Sequence, residues 1–185
     1  MQDDAARWDD RHRFSSPAEP RPPDVFEDRP DLIDLVPRSG TALDVACGIG
    51  NQALWLADRG LHVVALDVSP VAIEHLEIAA NMLGLRGMID ARVTDLDDGL
   101  PDDPARVDVI VCQRFRRPAM YPEIVDRLTL GGLAIVTVLS TVGTDSPGPF
   151  HASPGELAAA FADADVDVLH ADEGGGTATV VFRRR

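Results

Sequence analysis

Lysine is missing from this sequence of 185 residues, and all 17 basic residues are arginine. Without lysine, the chain can supply neither the lysine of a phosphate-binding P-loop nor a lysine for a Schiff base. Its two cysteines are too few for a disulfide framework, and we interpret both as reduced. Neither an apolar run of the ~20 residues that a membrane helix needs nor a basic and apolar leader is present. We therefore expect a cytoplasmic protein without a membrane partner.

Acidic residues outnumber basic ones, 31 to 17, which gives the chain a formal net charge of −14. A protein that grips a phosphate backbone needs a basic face, so this charge argues against a nucleic-acid partner. No spacing of histidine and cysteine is typical of a metal site, and we predict none. The length and the 45% of apolar residues are sufficient for one full hydrophobic core.

The most informative segment is a glycine turn between a buried strand and a helix. The strand is predicted at residues 41–46, the turn contains Gly48 and Gly50, and the helix starts at Asn51. The next strand ends at Asp67. Glycine lets the backbone approach a ligand closely, and an acid at the end of the second strand can bind both hydroxyls of a ribose. This order predicts a nucleoside-binding half-sheet.

Two kinds of nucleoside ligand are compatible with this turn. Gly48, Gly50 and Ala53 match the dinucleotide fingerprint, and Asp67 follows at about the expected ~20 residues. Dinucleotide sites usually carry an apolar residue where this strand has Asp44, which suits the ammonium group of an amino-acid ligand. The chain is also too short for a full dinucleotide domain and a substrate domain. These features favour a different ligand, and a nicotinamide dinucleotide-binding module remains an alternative.

Five stretches in order resemble the class I S-adenosylmethionine-dependent methyltransferases, namely residues 8–12, 43–51, 65–69, 93–96 and 130–133. The chain is most similar to the small bacterial subgroup of tellurite-resistance and thiopurine-type methyltransferases, from about Ala5 to the C-terminus. It departs from the family at Ala46, which stands where the family has the first glycine of the turn. The resemblance implies S-adenosyl-L-methionine as cofactor and S-adenosyl-L-homocysteine as product.

The resemblance also implies a three-layer, Rossmann-like α/β fold, with a seven-stranded, mostly parallel sheet and an antiparallel C-terminal strand. The apolar patterns predict strands at residues 41–46, 62–66, 88–93, 107–112, 133–139, 166–170 and 177–183. They predict helices at residues 3–14, 51–59, 70–83, 122–128 and 156–162, the last opened by a capping box at 153–156. We divide the chain into a cap helix and linker, residues 1–30, and a methyltransferase domain, residues 31–185.

The residues expected to bind the cofactor lie on the glycine turn and at the ends of neighbouring strands: Asp44, Ala46, Cys47, Gly48, Gly50, Asn51, Asp67, Val68, Asp95, Leu96 and Cys112. Asp67 is expected to bind the ribose, and Asp95 to accept from the adenine amino group. A carboxylate inside an apolar strand is costly to bury without a partner. Asp44 therefore requires a ligand ammonium, a backbone nest or an arginine.

The residues expected to bind the acceptor lie on the N-terminal helix and after the fourth strand: Trp8, Arg11, Arg114, Phe115 and Tyr121. Trp8, Arg11 and His12 are spaced i, i+3, i+4 and share one face, which in the resembled subgroup caps the pocket. Open parallel sheets bind ligands at the carboxyl ends of their strands, so the later loop faces the reaction site. No catalytic residue is identified, and the candidates for a general base are His12, Tyr121 and His151.

The predicted reaction is methyl transfer from S-adenosylmethionine to a small-molecule acceptor, with a thiol or a chalcogen oxyanion as the favoured class. Enzymes that methylate adenine or glutamine amides carry Asn or Asp, two prolines and an aromatic residue after the fourth strand, whereas residues 112–115 read Cys-Gln-Arg-Phe. A non-catalytic regulatory protein that binds S-adenosylmethionine or S-adenosylhomocysteine is the second alternative. We expect a monomer or a homodimer.

Overall fold

The computed structural model describes residues 2–185, which form seven strands and six α-helices. The strands are β1 (Thr41–Val45), β2 (His62–Asp67), β3 (Ile89–Val93), β4 (Val107–Gln113), β5 (Leu128–Leu139), β6 (Val166–Gly174) and β7 (Thr177–Arg184). The helices are α1 (Gln2–His12), α2 (Val25–Asp28), α3 (Asn51–Asp58), α4 (Pro70–Met82), α5 (Tyr121–Arg127) and α6 (Glu156–Phe161). Short 3-10 helices cover Pro30–Leu35, Arg86–Met88, Leu96–Asp98 and Pro118–Met120.

All seven strands belong to one sheet with the order β3-β2-β1-β4-β5-β7-β6. The five strands from β3 to β5 are parallel, whereas β7 runs antiparallel to both of its neighbours. The chain turns from β6 into β7 at Gly175 and Gly176, both with positive φ. The predicted fold class, a seven-stranded and mostly parallel sheet with an antiparallel C-terminal strand, is confirmed.

Two hydrophobic cores, one on each face of the sheet, make the three layers. Helices α2, α3 and α4 pack on one face, where Phe26, Leu54 and Leu76 are buried. Helices α5 and α6 pack on the other face, together with Ile124 and Phe161. Strands β1 and β4 lie in the middle of the sheet and are covered on both sides, which is why their sequences are nearly continuous apolar runs.

Helix α4 begins where its capping residues predict. The Ser69 hydroxyl accepts a hydrogen bond of 3.1 Å from the Ala72 N–H, and Pro70 occupies the first helical position. Proline costs nothing there because its missing N–H would have no partner within the helix. Ser69 is fully buried, so this helix start is fixed against the sheet edge.

Three local predictions differ from the structure. Residues 15–30 were predicted as a linker, but they contain α2 and bury Ala18 and Phe26, because these apolar side chains complete the core beside α3. The fifth strand was predicted to begin at residue 133, but β5 begins at Leu128 and contains an irregular part where the pairing with β4 shifts. The capping box before α6 is only half formed: the Glu156 carboxylate accepts from the Ser153 N–H, and Gly155 takes the cap position.

None of the helices described between residues 2 and 185 is long and apolar enough to cross a membrane.

Candidate functional site

The glycine turn lies at the carboxyl edge of the sheet, between β1 and α3. Ala46, Gly48 and Gly50 have φ angles of +55°, +54° and +87°, in the left-handed region that glycine favours. The Cys47 N–H donates to the Leu66 carbonyl over 2.9 Å, which holds the turn against the end of β2. The structure thus explains why the methyltransferases that the sequence resembles usually have glycine where this chain has Ala46.

The two glycines of the turn have different neighbours. A Cβ atom on Gly50 would lie 2.3 Å from a methyl group of Leu76, so the packing of α4 requires a glycine there. A Cβ atom on Gly48 would meet only the ring of His12, at 3.4 Å from Cε1 and 3.9 Å from Nε2. The backbone at Gly48 is therefore the part of the turn that remains open to a ligand, with His12 directly above it.

Asp44 is the most unusual residue of the site. It is 1% exposed, and among the described residues its Oδ2 atom has no hydrogen-bond partner. The pKa of this carboxyl is raised to about 8, chiefly by burial. The charge of the nearby Asp67 also raises the pKa, and a hydrogen bond from the Ala53 N–H opposes the shift. A buried carboxyl oxygen without a partner costs about 1–3 kcal/mol, which a positively charged ligand group would offset.

Asp67 organises the turn from the end of β2. One of its carboxylate oxygens accepts from the Gly48 N–H over 2.8 Å, and the other accepts from the Ser69 N–H over 2.9 Å. A carboxylate has about four acceptor positions, so these two bonds leave capacity for the hydroxyls of a sugar. Asp67 therefore connects the glycine turn to the start of α4 and is still able to accept from a ligand.

The two cysteines beside the turn are buried and free. Burial is the main cause that raises the pKa of the Cys47 thiol, and it raises the pKa of Cys112 to about 12; the nearby Asp44 adds to both shifts. A thiol with a raised pKa stays protonated at neutral pH and is a poor nucleophile. Both cysteines therefore act as small apolar side chains lining the ends of β1 and β4.

The other predicted cofactor residues gather at the same edge. The Thr94 N–H donates to the Asp67 carbonyl over 2.8 Å, which brings the end of β3 next to β2. Asp95 is half-buried and accepts from the Asp97 N–H over 2.9 Å, while Leu96 is buried. Val68 is half-buried between Asp67 and Ser69. The structure therefore places the ends of β2 and β3 side by side at the carboxyl edge of the sheet.

Asn51, also predicted to bind the cofactor, faces the N-terminal segment. Its side-chain oxygen accepts from the Glu19 N–H over 3.0 Å, and its carbonyl accepts from the Arg21 N–H over 3.1 Å. A groove of about 380 Å³ lies here between the turn and the segment, lined by Ser15, Ser16, Pro17, Glu19, Arg21, Ile49 and Asn51. Asn51 thus positions residues 19–21 over the start of α3.

Helix α1 covers the carboxyl edge. The Ser69 hydroxyl and the Val71 N–H both donate to the same oxygen of Asp9, over 2.5 and 3.3 Å. His12, at the end of α1, lies above the glycine turn, where burial lowers its pKa in spite of the opposing charges of Asp67 and Asp9. Sequence reasoning missed Asp9, because one acid on a polar helix does not indicate what it contacts.

Aromatic and cationic side chains connect α1 to the loop after β5. The Trp8 ring stacks on His12 with centroids 6.1 Å apart, and the Arg11 guanidinium lies 5.5 Å from the Trp8 centroid. The Arg7 guanidinium lies 5.3 Å from the Trp8 centroid and 4.8 Å from that of Phe150. Arg7 was also missed, although its i, i+4 spacing from Arg11 places both on one face of the helix.

The loop after β4 forms a second wall. Arg114 has a φ of +59°, and its guanidinium is paired with Asp24 over 2.9 Å in an exposed position. Phe115 is half-buried against the core under α5 and α6. Arg116 forms a bidentate pair with Glu156 of α6, with distances of 2.7 and 2.8 Å. This pair, which the sequence pattern does not reveal, fixes the loop against α6.

Two candidates for a general base are held in unfavourable states. Tyr121 is 4% exposed, its hydroxyl has no partner among the described residues, and burial raises its pKa to about 12. Its phenol therefore stays protonated at neutral pH. His151 accepts from the Gly148 N–H at Nδ1 over 2.9 Å, so its proton is assigned to Nε2. Of the three candidates, only His12 combines a neutral imidazole with a place above the turn.

No group of three or more His, Cys, Asp or Glu side chains that could hold a metal ion occurs in the part of the chain that the structure describes.

Comparison with known sequences identifies a methyltransferase domain. Residues 42–132, about half of the chain, match the family described as "Methyltransferase domain". The ubiquinone biosynthesis O-methyltransferase of Xylella fastidiosa (strain 9a5c) is 37% identical over 81 residues, which cover 43% of this chain and 32% of that protein. The 2-heptyl-1-hydroxyquinolin-4(1H)-one methyltransferase of Mycobacteroides abscessus is 38% identical over 58 residues, which cover 29% and 26%. The matches thus span about a third or less of these relatives.

Solved structures share the whole fold. TehB from Haemophilus influenzae superposes with a TM-score of 0.72 at 20% identity, over 86% of this chain and 62% of that one. The geranyl diphosphate C-methyltransferase of Streptomyces coelicolor A3(2), solved with S-adenosyl-L-homocysteine, superposes with a TM-score of 0.74 at 14% identity, over 100% and 98%. At such identities the likeness concerns the fold alone. Sequence and fold together therefore show a methyltransferase domain at residues 42–132, within a Rossmann-like methyltransferase fold.

Proposed function

We propose that this chain transfers the methyl group of S-adenosylmethionine to a small-molecule acceptor at the carboxyl edge of the sheet. The observation that carries the proposal is the buried Asp44 oxygen without a partner, directly below the glycine turn. S-adenosylmethionine supplies a methyl group on a positively charged sulfur, next to an amino-acid ammonium group. A cationic ligand of this kind fits a carboxyl whose pKa is about 8, because its charge favours the ionised form of Asp44.

The other residues would hold the nucleoside. The backbone of Ala46, Cys47 and Gly48 offers a close approach, and Asp67 accepts from the ribose hydroxyls. Beyond these, the residues proposed to contact the cofactor are Gly50, Asn51, Val68, Asp95, Leu96 and Cys112. Gly50 would act mainly by letting α4 pack under the turn, since a side chain there would meet Leu76. Asp95 would accept from the adenine amino group.

His12 is the residue we assign as a general base where the acceptor needs one. Its pKa is lowered chiefly by burial, so the imidazole is neutral and able to accept a proton at neutral pH. An acceptor that is already ionised would need no base, and the chain would then act mainly by aligning the acceptor and excluding water. Tyr121 and His151 would serve as lining residues.

The acceptor class that we favour is a thiol or a chalcogen oxyanion. Arg11 and Trp8 on α1, with Phe115 on the loop after β4, would line its pocket, and guanidinium groups bind oxyanions through their forked donors. Arg114 would contribute only after it releases Asp24, to which it is bound over 2.9 Å. The absence of the amide-methylating motif at residues 112–115 supports the same class.

A nucleic-acid acceptor is the competing proposal, because two relatives, from Parasynechococcus marenigrum (strain WH8102) and Nitratidesulfovibrio vulgaris, are named uncharacterized RNA methyltransferases. Their matches are 32% identical over 79 residues and 28% identical over 91 residues, and they cover 17% and 19% of those proteins. The net charge of −14 would repel a polyanion from most of the surface, so we favour the small acceptor. A monomer or homodimer in the cytoplasm remains our prediction.

The experiment has two stages. Calorimetry with S-adenosylmethionine, S-adenosylhomocysteine and NAD separates a methyltransferase or a regulatory binder from a nicotinamide module. A screen with radiolabelled methyl groups over small thiols, selenium and tellurium oxyanions, RNA and protein then identifies the acceptor. We expect transfer to small acceptors. Binding without transfer to any of these acceptors would favour the regulatory protein, and transfer to RNA or protein alone would overturn the proposed acceptor class.

A further inference from the structure

Helix α1 is joined to the glycine turn by a chain of hydrogen bonds that passes through three side chains. The Gly48 N–H donates to Asp67 over 2.8 Å, and the Ser69 N–H donates to the other oxygen of Asp67 over 2.9 Å. The hydroxyl of the same Ser69 donates to Asp9 over 2.5 Å. Ser69 therefore connects the acid proposed to bind the ribose with an acid on the helix that covers the site.

Asp9 also completes the start of α4. Pro70 has no N–H, the Ala72 N–H donates to the Ser69 hydroxyl, and the Val71 N–H donates to Asp9 over 3.3 Å. The first N–H groups of a helix have no partner within it, and the helix dipole favours a negative charge there. The carboxylate of Asp9 thus supplies to α4 a cap that comes from sixty residues earlier in the chain.

Helix α1 depends on such contacts for its own stability. It has 11 residues with a polar sequence, and isolated helices shorter than ~12–15 residues are marginal in water. Docking at Asp9 places His12 over Gly48, and the Trp8 ring stacks on His12. Without that anchor, the backbone of Gly48 and the carboxylate of Asp67 would be open to water from the side that α1 now covers.

We infer that Asp9 is a positioning residue that couples the docking of α1 to the binding of S-adenosylmethionine. This inference rests on the proposed placement of the cofactor ribose at Asp67. A cofactor held by Asp67 and the glycine turn is stabilised by the docked helix, which excludes water from both. By linkage, the bound cofactor must stabilise the docked helix by the same factor. Asp9 acts without touching the cofactor, through Ser69 and the start of α4.

The test compares Asp9→Ala with Asp10→Ala in the full chain. Asp10 lies on the same helix, is exposed and forms an ion pair with Arg13 at 3.4 Å, so it is the matched control. Hydrogen exchange of residues 2–14 is measured with and without S-adenosylhomocysteine, and the affinity for S-adenosylhomocysteine is measured by calorimetry. We expect Asp9→Ala to speed exchange in the free protein and to weaken affinity about tenfold, a typical coupling between two sites.

Two further variants make each outcome decisive. Asp10→Ala should keep wild-type affinity and exchange, and Asp9→Asn, which retains an acceptor oxygen, should recover part of the loss. Wild-type affinity in Asp9→Ala would overturn the inference, whether or not α1 exchanges faster. Asp67→Ala tests the placement of the cofactor: unchanged affinity in that variant would overturn the proposed ribose site, whereas loss in Asp67→Ala with none in Asp9→Ala overturns only the role of Asp9.

Discussion

At the scale of single residues, the site contains groups whose conformation or ionisation is unfavourable for the fold alone. Asp44 is buried with an oxygen that has no protein partner, and Ala46 and Arg114 have left-handed backbone angles that residues with a Cβ atom seldom adopt. Strain of this kind concentrates at functional sites, where the binding of a ligand can offset its cost in free energy. All three residues lie at or near the carboxyl ends of the central strands.

Asp44→Asn should change how stability depends on pH. The pKa of Asp44 is about 8 in the folded protein, against an ordinary value of 3.8. The folded protein therefore holds the proton more tightly than the unfolded chain, so the contribution of this group to stability is full below about pH 4 and is lost as the pH rises toward 8. Because asparagine does not titrate, the unfolding free energy of the variant should decline less over this range.

Denaturant unfolding at several pH values measures this effect, with the exposed Asp98→Asn as control. At pH 8, we expect the free energy of unfolding of Asp44→Asn to be about 1–3 kcal/mol higher than that of the wild type. This difference is the cost of a buried group without a partner. The same variant should bind S-adenosylmethionine more weakly, because it has lost the negative charge. If the free energy of unfolding depends on pH in the same way in wild type and Asp44→Asn, Asp44 is ionised in both the folded and the unfolded protein over this range, which would contradict the raised pKa.

Ala46→Gly should stabilise the protein. A residue with a Cβ atom at a φ of +55° costs roughly 1–2 kcal/mol, and the greater flexibility of glycine in the unfolded chain cancels part of this gain. We expect a net increase of about 0.5–1 kcal/mol in the free energy of unfolding. Ala159→Gly, on the exposed face of α6, is the control and should lose a similar amount. Destabilisation by Ala46→Gly would contradict the left-handed conformation.

At the scale of elements, helix α1 and the loop at residues 140–151 together cover the carboxyl edge of the sheet. Asp9 anchors the helix to the start of α4, and Arg7 joins it to Phe150 in the loop. The Arg116–Glu156 pair holds the opposite wall, between the loop after β4 and α6. The site is therefore surrounded by elements that come from both ends of the chain, and its cover is lightly attached.

Helix α1 and the loop at residues 140–151 should close over the ligand together. S-adenosylhomocysteine should slow hydrogen exchange in residues 2–12 and, through Arg7, in residues 140–151. An exposed cation–π contact contributes about 0.5–1 kcal/mol, so Arg7→Ala should speed exchange in the loop about two- to fivefold. Phe150→Ala should do the same, and the double variant should be no worse than either. Arg13→Ala, directly after the end of this helix, is the control. An equal effect of Arg13→Ala on exchange in the loop would contradict a specific role of Arg7.

At the scale of the whole molecule, the N-terminal segment is continuous with the core. Ala18 and Phe26 are buried with the helices on one face of the sheet, and the Phe26 ring lies 5.8 Å from that of Trp55. The exposed Phe14, in contrast, ends the part that lies outside this core. The boundary that we predict at residue 30 therefore divides segments that share a hydrophobic core.

Two truncations test this boundary. Removal of residues 1–14 should leave a folded protein that binds S-adenosylhomocysteine weakly, because α1 covers the site without contributing to the core. Removal of residues 1–30 should cost at least the ~3–5 kcal/mol of a lost core phenylalanine and lower Tm by about 10 °C. Thermal unfolding and calorimetry measure both effects. Equal Tm values for the two truncations would show that residues 15–30 are a linker after all.

Local patterns in the sequence are sufficient for the elements and for their order. Glycine and proline positions, apolar runs and the caps at Ser69 and Pro70 act within a few residues, which is why the strands, α3, α4 and the glycine turn agree with the structure. Predictions were wrong where burial overrides local composition: the proline-rich residues 15–30 fold onto the core because Ala18 and Phe26 find partners in α3 and its neighbours.

The sequence by itself determined a mostly parallel α/β sheet with acids at the ends of β1, β2 and β3, because alternating strands and helices admit few topologies and the carboxyl ends of parallel strands meet at one edge. Only the tertiary structure decided which distant side chains meet there. Asp9 and Ser69 are 60 residues apart, and Asp24 and Arg114 are 90 apart. Such contacts follow from the packing of whole elements, and no periodicity along the chain records them.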